Sequence, residues 1–306
     1  MILKSLRSLF TNGLIVVALL LGVITPTIAK TFEDIKLLAE QGDASSQEEL
    51  AEIYYDNQDV YFDHEKAFYW YQKAANQGHI TAQYSLGYMY DYGKGVSQDY
   101  AKAREWYEKA ANQGDVTAQK NLGFIYYYAE GVTQDYTKAF KWYEKAANQG
   151  DSSAMDSLAN MYESGQGVTQ DYTKAFKLYE KAAYRGHSFS QYKLGTMYES
   201  GKGVRQDYAN AFKWYEKAAQ EGSALYLYVL GTMYESGKGV RQDYAKAREW
   251  YEKAAQKKDP AAQFKLGHMY ESGKGVRYSR VEAKEWYGKS CDNGFQLGCD
   301  QYRRLN

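Results

Sequence analysis

The chain has 306 residues, of which 44% are hydrophobic and 25% charged, and its formal net charge is zero. These values are ordinary for a soluble globular protein. The absence of a basic excess or a stripe of clustered Lys and Arg argues against nucleic-acid binding, which requires such residues to neutralise phosphates. Only two residues are Pro while 33 are Tyr, and a chain so poor in proline favours helix, because proline breaks helix interiors.

The first 29 residues are predicted to be a signal peptide. A short basic segment, MILKSLR, precedes the apolar run GLIVVALLLGVI of twelve residues, and a membrane-spanning helix needs roughly 20 such residues. Thr27 and Ala29 then occupy the small-residue positions of a cleavage site. We therefore expect a periplasmic or secreted protein that begins near Lys30 and meets a membrane only during export. An uncleaved membrane anchor is the alternative.

One sixteen-residue phrase, LGTMYESGKGVRQDYA, occurs twice, beginning at Leu194 and again at Leu230, 36 residues later. The same step places a leucine at seven successive positions, Leu50, Leu86, Leu122, Leu158, Leu194, Leu230 and Leu266. The six tryptophans keep that step as well: Trp70, Trp106, Trp142, Trp214, Trp250 and Trp286. A fixed period of this length predicts a repeat architecture, in which each unit buries its apolar face against its neighbours.

Each repeat is predicted to contain two helices joined by a turn. The first helix shows apolar spacing of three and four residues along one face, at Ala82, Ser85, Leu86, Met89 and Tyr90. The second shows the same spacing at Ala103, Trp106, Tyr107, Ala110 and Ala111. Between them, Gly93 can end one helix and Asp99 can cap the next. The pattern predicts an all-α, right-handed α-solenoid of helix-turn-helix repeats with a 36-residue period.

The repeat unit from Thr81 to Gly114 resembles the Sel-one-like repeat (SLR) family, a relative of the tetratricopeptide repeats. The resemblance rests on A-x-x-x-L-G-x-x-Y-x-x-G-x-G-V-x-x-D-x-x-K-A-x-x-W-Y-x-K-A-A-x-x-G. It implies a solenoid that binds other molecules, without implying a particular partner. We interpret the chain as a non-enzymatic adaptor or scaffold that binds a protein or peptide partner, and we expect no cofactor. We expect a half-repeat cap at 30–45, a degenerate repeat at 46–79, six further repeats at 80–115, 116–151, 152–187, 188–223, 224–259 and 260–295, and a capping helix at 296–306.

The copies agree at packing positions and differ at others, and the differing positions of the first helices are free for function. We call the surface that these positions form the first-helix face. It is interpreted as lying roughly opposite the stripe that packs on the second helix, and resemblance to tetratricopeptide repeats implies a concave surface. The predicted partner-binding residues are Tyr84, Tyr88, Asp91, Phe124, Tyr127, Tyr192, Glu199, Tyr228, Glu235, Phe264 and His268. Aromatic side chains rimmed by carboxylates suit an extended peptide or a helix; the alternative is that the aromatics pack against adjacent repeats.

The two cysteines, Cys291 and Cys299, lie eight residues apart across a predicted helix–turn–helix. This spacing can be bridged, and in an exported protein a disulfide is the expected state. Two free buried thiols are the alternative. The spacing also resembles the cysteine-rich branch of the SLR family, although here only the last repeat carries it.

No catalytic residue and no metal site are predicted. Ser190 and Lys193 fit S-x-x-K, the nucleophile motif of penicillin-recognising enzymes, and the cysteine-rich SLR branch is associated with β-lactam binding or hydrolysis. The chain lacks the accompanying S-D-N and K-T-G motifs, and Ser190 occupies the small packing slot that Ala82 fills in another repeat. A structural serine is therefore predicted. Binding or hydrolysis of β-lactams or peptidoglycan fragments is the alternative function.

Overall fold

A computed structural model describes residues 30–56 and 62–305 of the chain. The predicted signal peptide lies outside these residues. The described residues form sixteen helices and no strand: α1 Phe32–Glu40, α2 Ala44–Tyr55, α3 His64–Asn76, α4 Ile80–Tyr92, α5 Tyr100–Asn112, α6 Val116–Tyr128, α7 Tyr136–Asn148, α8 Ser152–Ser164, α9 Tyr172–Tyr184, α10 Ser188–Ser200, α11 Tyr208–Ala219, α12 Ala224–Ser236, α13 Tyr244–Gln256, α14 Pro260–Ser272, α15 Arg280–Asp292 and α16 Gln296–Arg304.

The chain divides into two compact units, Met1–Ala103 and Arg104–Asn306. In the first unit α1 packs on α2, α2 on α3 and α3 on α4. In the second unit each helix from α6 to α16 packs on the next one along the chain. The prediction of an all-α solenoid of helix-turn-helix repeats is confirmed.

The glycine-lysine-glycine segment between α12 and α13 is a turn in which each glycine has its own task. Gly237 ends α12 in the left-handed conformation, at φ 74°, which L side chains adopt at a cost. Gly239 also has a positive φ, and a Cβ there would collide with the backbone carbonyl of Tyr208 in the preceding repeat. Asp243 then caps α13 by accepting a hydrogen bond from the backbone N–H of Lys246. The turn therefore joins neighbouring repeats as well as two helices.

In the repeats 116–151, 188–223, 224–259 and 260–295, the core forms where a second-helix tyrosine lies against a glycine of the first helix. In the repeat 224–259, Tyr251 and Leu230 are fully buried, and a Cβ at Gly231 would lie only 2.5 Å from the Tyr251 ring. The equivalent tyrosines are buried throughout the described repeats, at Tyr71, Tyr107, Tyr143, Tyr179, Tyr215, Tyr251 and Tyr287. The glycine lets the two helices approach closely.

The last helix pair brings the two cysteines together. Cys291 lies near the end of α15 and Cys299 lies within α16, with their Cα atoms 4.5 Å apart and their sulfur atoms at disulfide distance. This Cα separation falls within the range of natural disulfides.

Candidate functional site

A cavity on the first-helix face of the second unit is one of two candidate sites. It has a volume of about 190 Å³ and is lined by Tyr127, Tyr128, Tyr143, Asp156, Ser157, Asn160 and Phe189. Its walls come from the C-terminal half of α6, the middle of α8 and the start of α10. Three successive repeats therefore contribute to one concavity, which is where solenoids commonly bind partners.

Aromatic rings form one wall of this cavity. The Phe124 and Tyr128 rings lie 4.4 Å apart, centroid to centroid, and the Tyr127 and Tyr128 rings lie 4.8 Å apart. Tyr127 donates a hydrogen bond to Oε1 of Gln166 at 2.6 Å, which fixes the orientation of its ring. Phe124 is 43% exposed and Tyr128 59% exposed. Large apolar rings that remain this open mark a surface able to bury more area on binding.

A single carboxylate, that of Asp156, lines the same cavity. It accepts a hydrogen bond from Ser190 Oγ at 2.8 Å, and Nδ1 of His187 lies 3.1 Å from the same hydroxyl and 3.9 Å from Asp156 Oδ1. Burial raises the pKa of the Asp156 carboxyl, while the Ser190 hydrogen bond and the charges of His187 and Lys193 oppose that shift. The cavity therefore holds a desolvated acid among aromatic rings.

The first unit has a cavity of its own, of about 240 Å³, lined by Tyr55, Tyr71, Tyr84, Ser85 and Tyr88. It brings together two of the predicted residues, Tyr84 and Tyr88. The Tyr88 ring also lies 4.4 Å from that of Tyr92. Burial raises the pKa of the Tyr71 phenol, so this hydroxyl stays neutral.

In later repeats the residues equivalent to Tyr84 contact the second helix. The interpretation that this position lies opposite the packing stripe is therefore wrong. The rings of Tyr192 and Tyr228 each lie 5.7 Å from the second-helix tyrosine of their own repeat, and the Phe264 ring lies 5.4 Å from that of Tyr287. Tyr192 also stacks on Tyr226 of the next repeat at 5.1 Å.

The reason is helical geometry. Position 228 precedes Gly231 by one turn, so both share a face of α12. The Tyr251 ring that crosses Gly231 consequently reaches Tyr228 as well. The alternative that these aromatics pack against adjacent repeats holds for Tyr192, which stacks on Tyr226. Tyr228 and Phe264 instead pack on the second-helix tyrosine of their own repeat.

The predicted carboxylates Glu199 and Glu235 do not project freely as a rim. Glu199 accepts a hydrogen bond from Tyr215 Oη at 2.9 Å, and Glu235 accepts one from Tyr251 Oη at 2.6 Å. Glu235 also pairs with Lys265 Nζ of the next repeat at 2.9 Å. Glu163 is held in the same way by Tyr179 and Lys193, and Glu271 by Tyr287 and Arg304. These acids link the second helix of one repeat to the element that follows. Asp91 is half-buried and His268 is exposed.

Only Tyr127 of the residues that line the α6–α10 cavity was among the predicted binding residues; the six missed are Tyr128, Tyr143, Asp156, Ser157, Asn160 and Phe189. Tyr128 and Phe189 stand at the positions of Tyr92 and Thr81, which vary from copy to copy, so variation alone could have pointed to them. Asp156 stands at the position of Tyr84, and an acidic residue at a position that is aromatic in most other repeats could have pointed to it.

The S-x-x-K pair is engaged in structural contacts. Ser190 is fully buried and its hydroxyl donates to Asp156, while Lys193 Nζ pairs with Glu163 at 2.6 Å. A nucleophilic serine needs an exposed approach as well as a base, and Ser190 is fully buried although His187 Nδ1 lies 3.1 Å from its hydroxyl. Across residues 30–56 and 62–305, no cluster of three or more His, Cys, Asp and Glu side chains could hold a metal ion. No helix in these ranges is long and apolar enough to cross a membrane.

Comparison with known proteins agrees with this architecture. The Sel1 repeat model matches seven consecutive segments, 44–79, 80–115, 116–151, 152–187, 188–223, 224–259 and 260–295. A protective antigen present in uropathogenic Escherichia coli strains, displaying an SLR fold, is 39% identical with a TM-score of 0.85, and the match covers 90% of this chain and 59% of that one. A Sel1 repeat protein from Oxalobacter formigenes is 34% identical with a TM-score of 0.75, covering 90% of this chain and 80% of that one. No curated protein matches the chain.

Proposed function

Because the chain belongs to the Sel1 repeat family, whose members are generally non-enzymatic scaffolds for protein partners, we propose that it is an exported scaffold that binds a polypeptide through its first-helix face. The observation that carries the proposal is the exposure of Phe124 and Tyr128 beside the α6–α10 cavity. Buried aromatic anchors supply most of the energy of a typical interface, often about 2 kcal/mol or more each.

Export is supported by two observations from opposite ends of the chain. The N-terminal basic and apolar segments have the pattern of a signal peptide. Cys291 and Cys299 lie at disulfide distance, and disulfides persist in oxidising compartments. The similar E. coli protein is a protective antigen, which agrees with a location outside the cytoplasm. N-terminal sequencing of protein recovered outside the cytoplasm should begin near Lys30, and an intact Met1 on that material would contradict cleavage.

The binding proposal is tested by capture from a cell-envelope extract with the mature protein as bait. We expect the Phe124→Ser, Tyr128→Ser double variant to retain less than a tenth of the captured partner. The substitutions remove two aromatic rings from the proposed contact surface, and because both rings are exposed, their loss leaves the core packing unchanged. The matched control is the Tyr184→Ser, Tyr278→Ser double variant. It removes two tyrosines that are 71% and 62% exposed and that do not line the α6–α10 cavity. Equal capture by all three proteins would move the binding surface away from the first-helix face.

A further inference from the structure

We propose that the cavity between α6, α8 and α10 is a specific pocket for a basic side chain, lysine or arginine, of the polypeptide partner. The inference rests on the proposed function, since it names the chemistry of the partner, and it follows from one juxtaposition. An acid with an available oxygen lines a concavity together with four aromatic side chains.

The pocket carries one carboxylate, that of Asp156. Its side chain is 16% exposed, so it is accessible to a ligand without being dissolved in bulk water. The basic groups that act on it are His187, whose Nδ1 lies 3.9 Å from Asp156 Oδ1, and Lys193, which acts through space while it pairs with Glu163 at 2.6 Å. A desolvated carboxylate of this kind gains most from a partner that brings a positive charge.

The hydrogen bonds of Asp156 leave one oxygen open. Ser190 and His187 both approach Oδ1, and Oδ2 has no hydrogen-bond or ion-pair partner within the described ranges. A neutral polar ligand would replace the hydrogen bond of Oδ2 to water by another hydrogen bond of similar strength. An ammonium or guanidinium group would add a charge-assisted hydrogen bond, which is roughly twice as strong as a neutral one.

The aromatic wall suits the rest of such a side chain. Tyr127, Tyr128 and Phe189 line the cavity, and a cation within about 6 Å of a ring centroid is attracted by the ring quadrupole. The methylene stem of a lysine or arginine packs on apolar surface while its head reaches a polar group. An acidic side chain would be repelled by Asp156, and a purely apolar one would leave Oδ2 desolvated and unpaired.

The test uses the whole mature chain and two pentapeptides, acetyl-AAKAA-amide and its analogue with norleucine in place of lysine. Nuclear magnetic resonance titration measures both dissociation constants. We expect the lysine peptide to bind at least tenfold more tightly than the norleucine peptide. Asp156→Asn should abolish that preference while it keeps the fold, because an asparagine oxygen can still accept from Ser190. Tyr128→Ala, at a side chain that is 59% exposed, should weaken the lysine peptide at least threefold.

The matched control for charge is Glu216→Gln, which removes one negative charge from an exposed position of α11 and should leave the lysine preference unchanged. Circular dichroism establishes that each variant is folded. Equal affinity for the two peptides, or an undiminished preference in Asp156→Asn, would overturn the inference. Neither result would affect the proposed function, which is decided by partner capture with the Phe124 and Tyr128 variants.

Discussion

Gly231→Ala tests the close approach of helices on which every repeat depends. A Cβ at this position would lie 2.5 Å from two atoms of the Tyr251 ring, whereas ordinary van der Waals contact begins near 3.4 Å. The ring must therefore retreat by about 1 Å. It cannot do so freely, because Tyr251 is fully buried, its hydroxyl donates to Glu235 at 2.6 Å and its face meets Tyr228.

The expected change in the free energy of unfolding combines two costs and one gain. Overpacking a tight core costs about 1–3 kcal/mol, and weakening a hydrogen bond to a charged group costs about 1.5–3 kcal/mol if the bond is lost. Replacing a mid-helix glycine by alanine returns about 1 kcal/mol. We expect a net loss of about 2 kcal/mol in the free energy of unfolding, with most of the effect in α12 and α13.

Urea denaturation followed by circular dichroism measures the loss, and hydrogen exchange locates it. Gly288→Ala is the matched control, because Gly288 is also within a helix but its added Cβ would meet only the Tyr302 ring at 3.2 Å. Tyr302 is 36% exposed and can move, so this control should be neutral or slightly stabilising. A Gly231→Ala variant as stable as the control would refute the idea that Tyr251 is fixed in place.

Three further predictions concern other contacts. Thiol labelling of denatured, unreduced protein should find no reactive Cys291 or Cys299, and reduction should cost about 2.5 kcal/mol and loosen α15 and α16 first; two labelled thiols would exclude the bridge. Ser190→Ala should lower the free energy of unfolding by about 1–3 kcal/mol without changing β-lactam turnover, because Asp156 loses its donor; clear hydrolysis of a chromogenic cephalosporin that vanishes in the variant would instead make Ser190 a nucleophile. Burial raises the pKa of Glu235, but hydrogen bonds from Lys265 and Tyr251 hold that pKa below its ordinary 4.5. The ionised Glu235 therefore stabilises the fold above pH 4.5, and this stabilisation is lost as the pH falls through the lower folded-state pKa. The urea midpoint of Glu235→Gln should lie below that of the wild type by most near neutral pH, and the difference should shrink in acid.

The fold could be predicted from the sequence because its determinants are local and repeated. Leucine and glycine on the first helix, tyrosine and alanine on the second, and glycines in the turn recur with one period. Each copy therefore supports the assignment of the others. A glycine within a helix costs about 1 kcal/mol and needs a compensating contact, so a close approach of the two helices at Gly231 is predictable from the sequence, whereas the Tyr251 ring that fills it is not.

The candidate site was less predictable because it depends on side-chain reach. The comparison of copies correctly separates constant from changing positions, but it cannot show that the Tyr251 ring crosses Gly231 and meets Tyr228. Nor can it show that the Glu235 side chain turns inward to a tyrosine and a lysine. Both contacts join residues far apart in sequence, and their geometry is set by packing rather than by period.

At some of the changing positions, an unusual residue in one repeat contacts a residue of the neighbouring repeat. Variation at such positions reflects packing between repeats rather than binding. Asp156 departs from the aromatic residues common at its position, and Ser190 of the next repeat departs from alanine; the two side chains form a hydrogen bond across 34 residues. Tyr226 likewise departs from alanine at the same slot, and its ring stacks on that of Tyr192. A change at one repeat is thus accommodated in its neighbour, because stacked repeats share their interface. Variation that is matched by a partner in the next repeat reflects packing. Variation without such a partner, as at the exposed Tyr128, leaves the side chain available for binding, and this is why we propose the open side of the α6–α10 cavity as the binding surface.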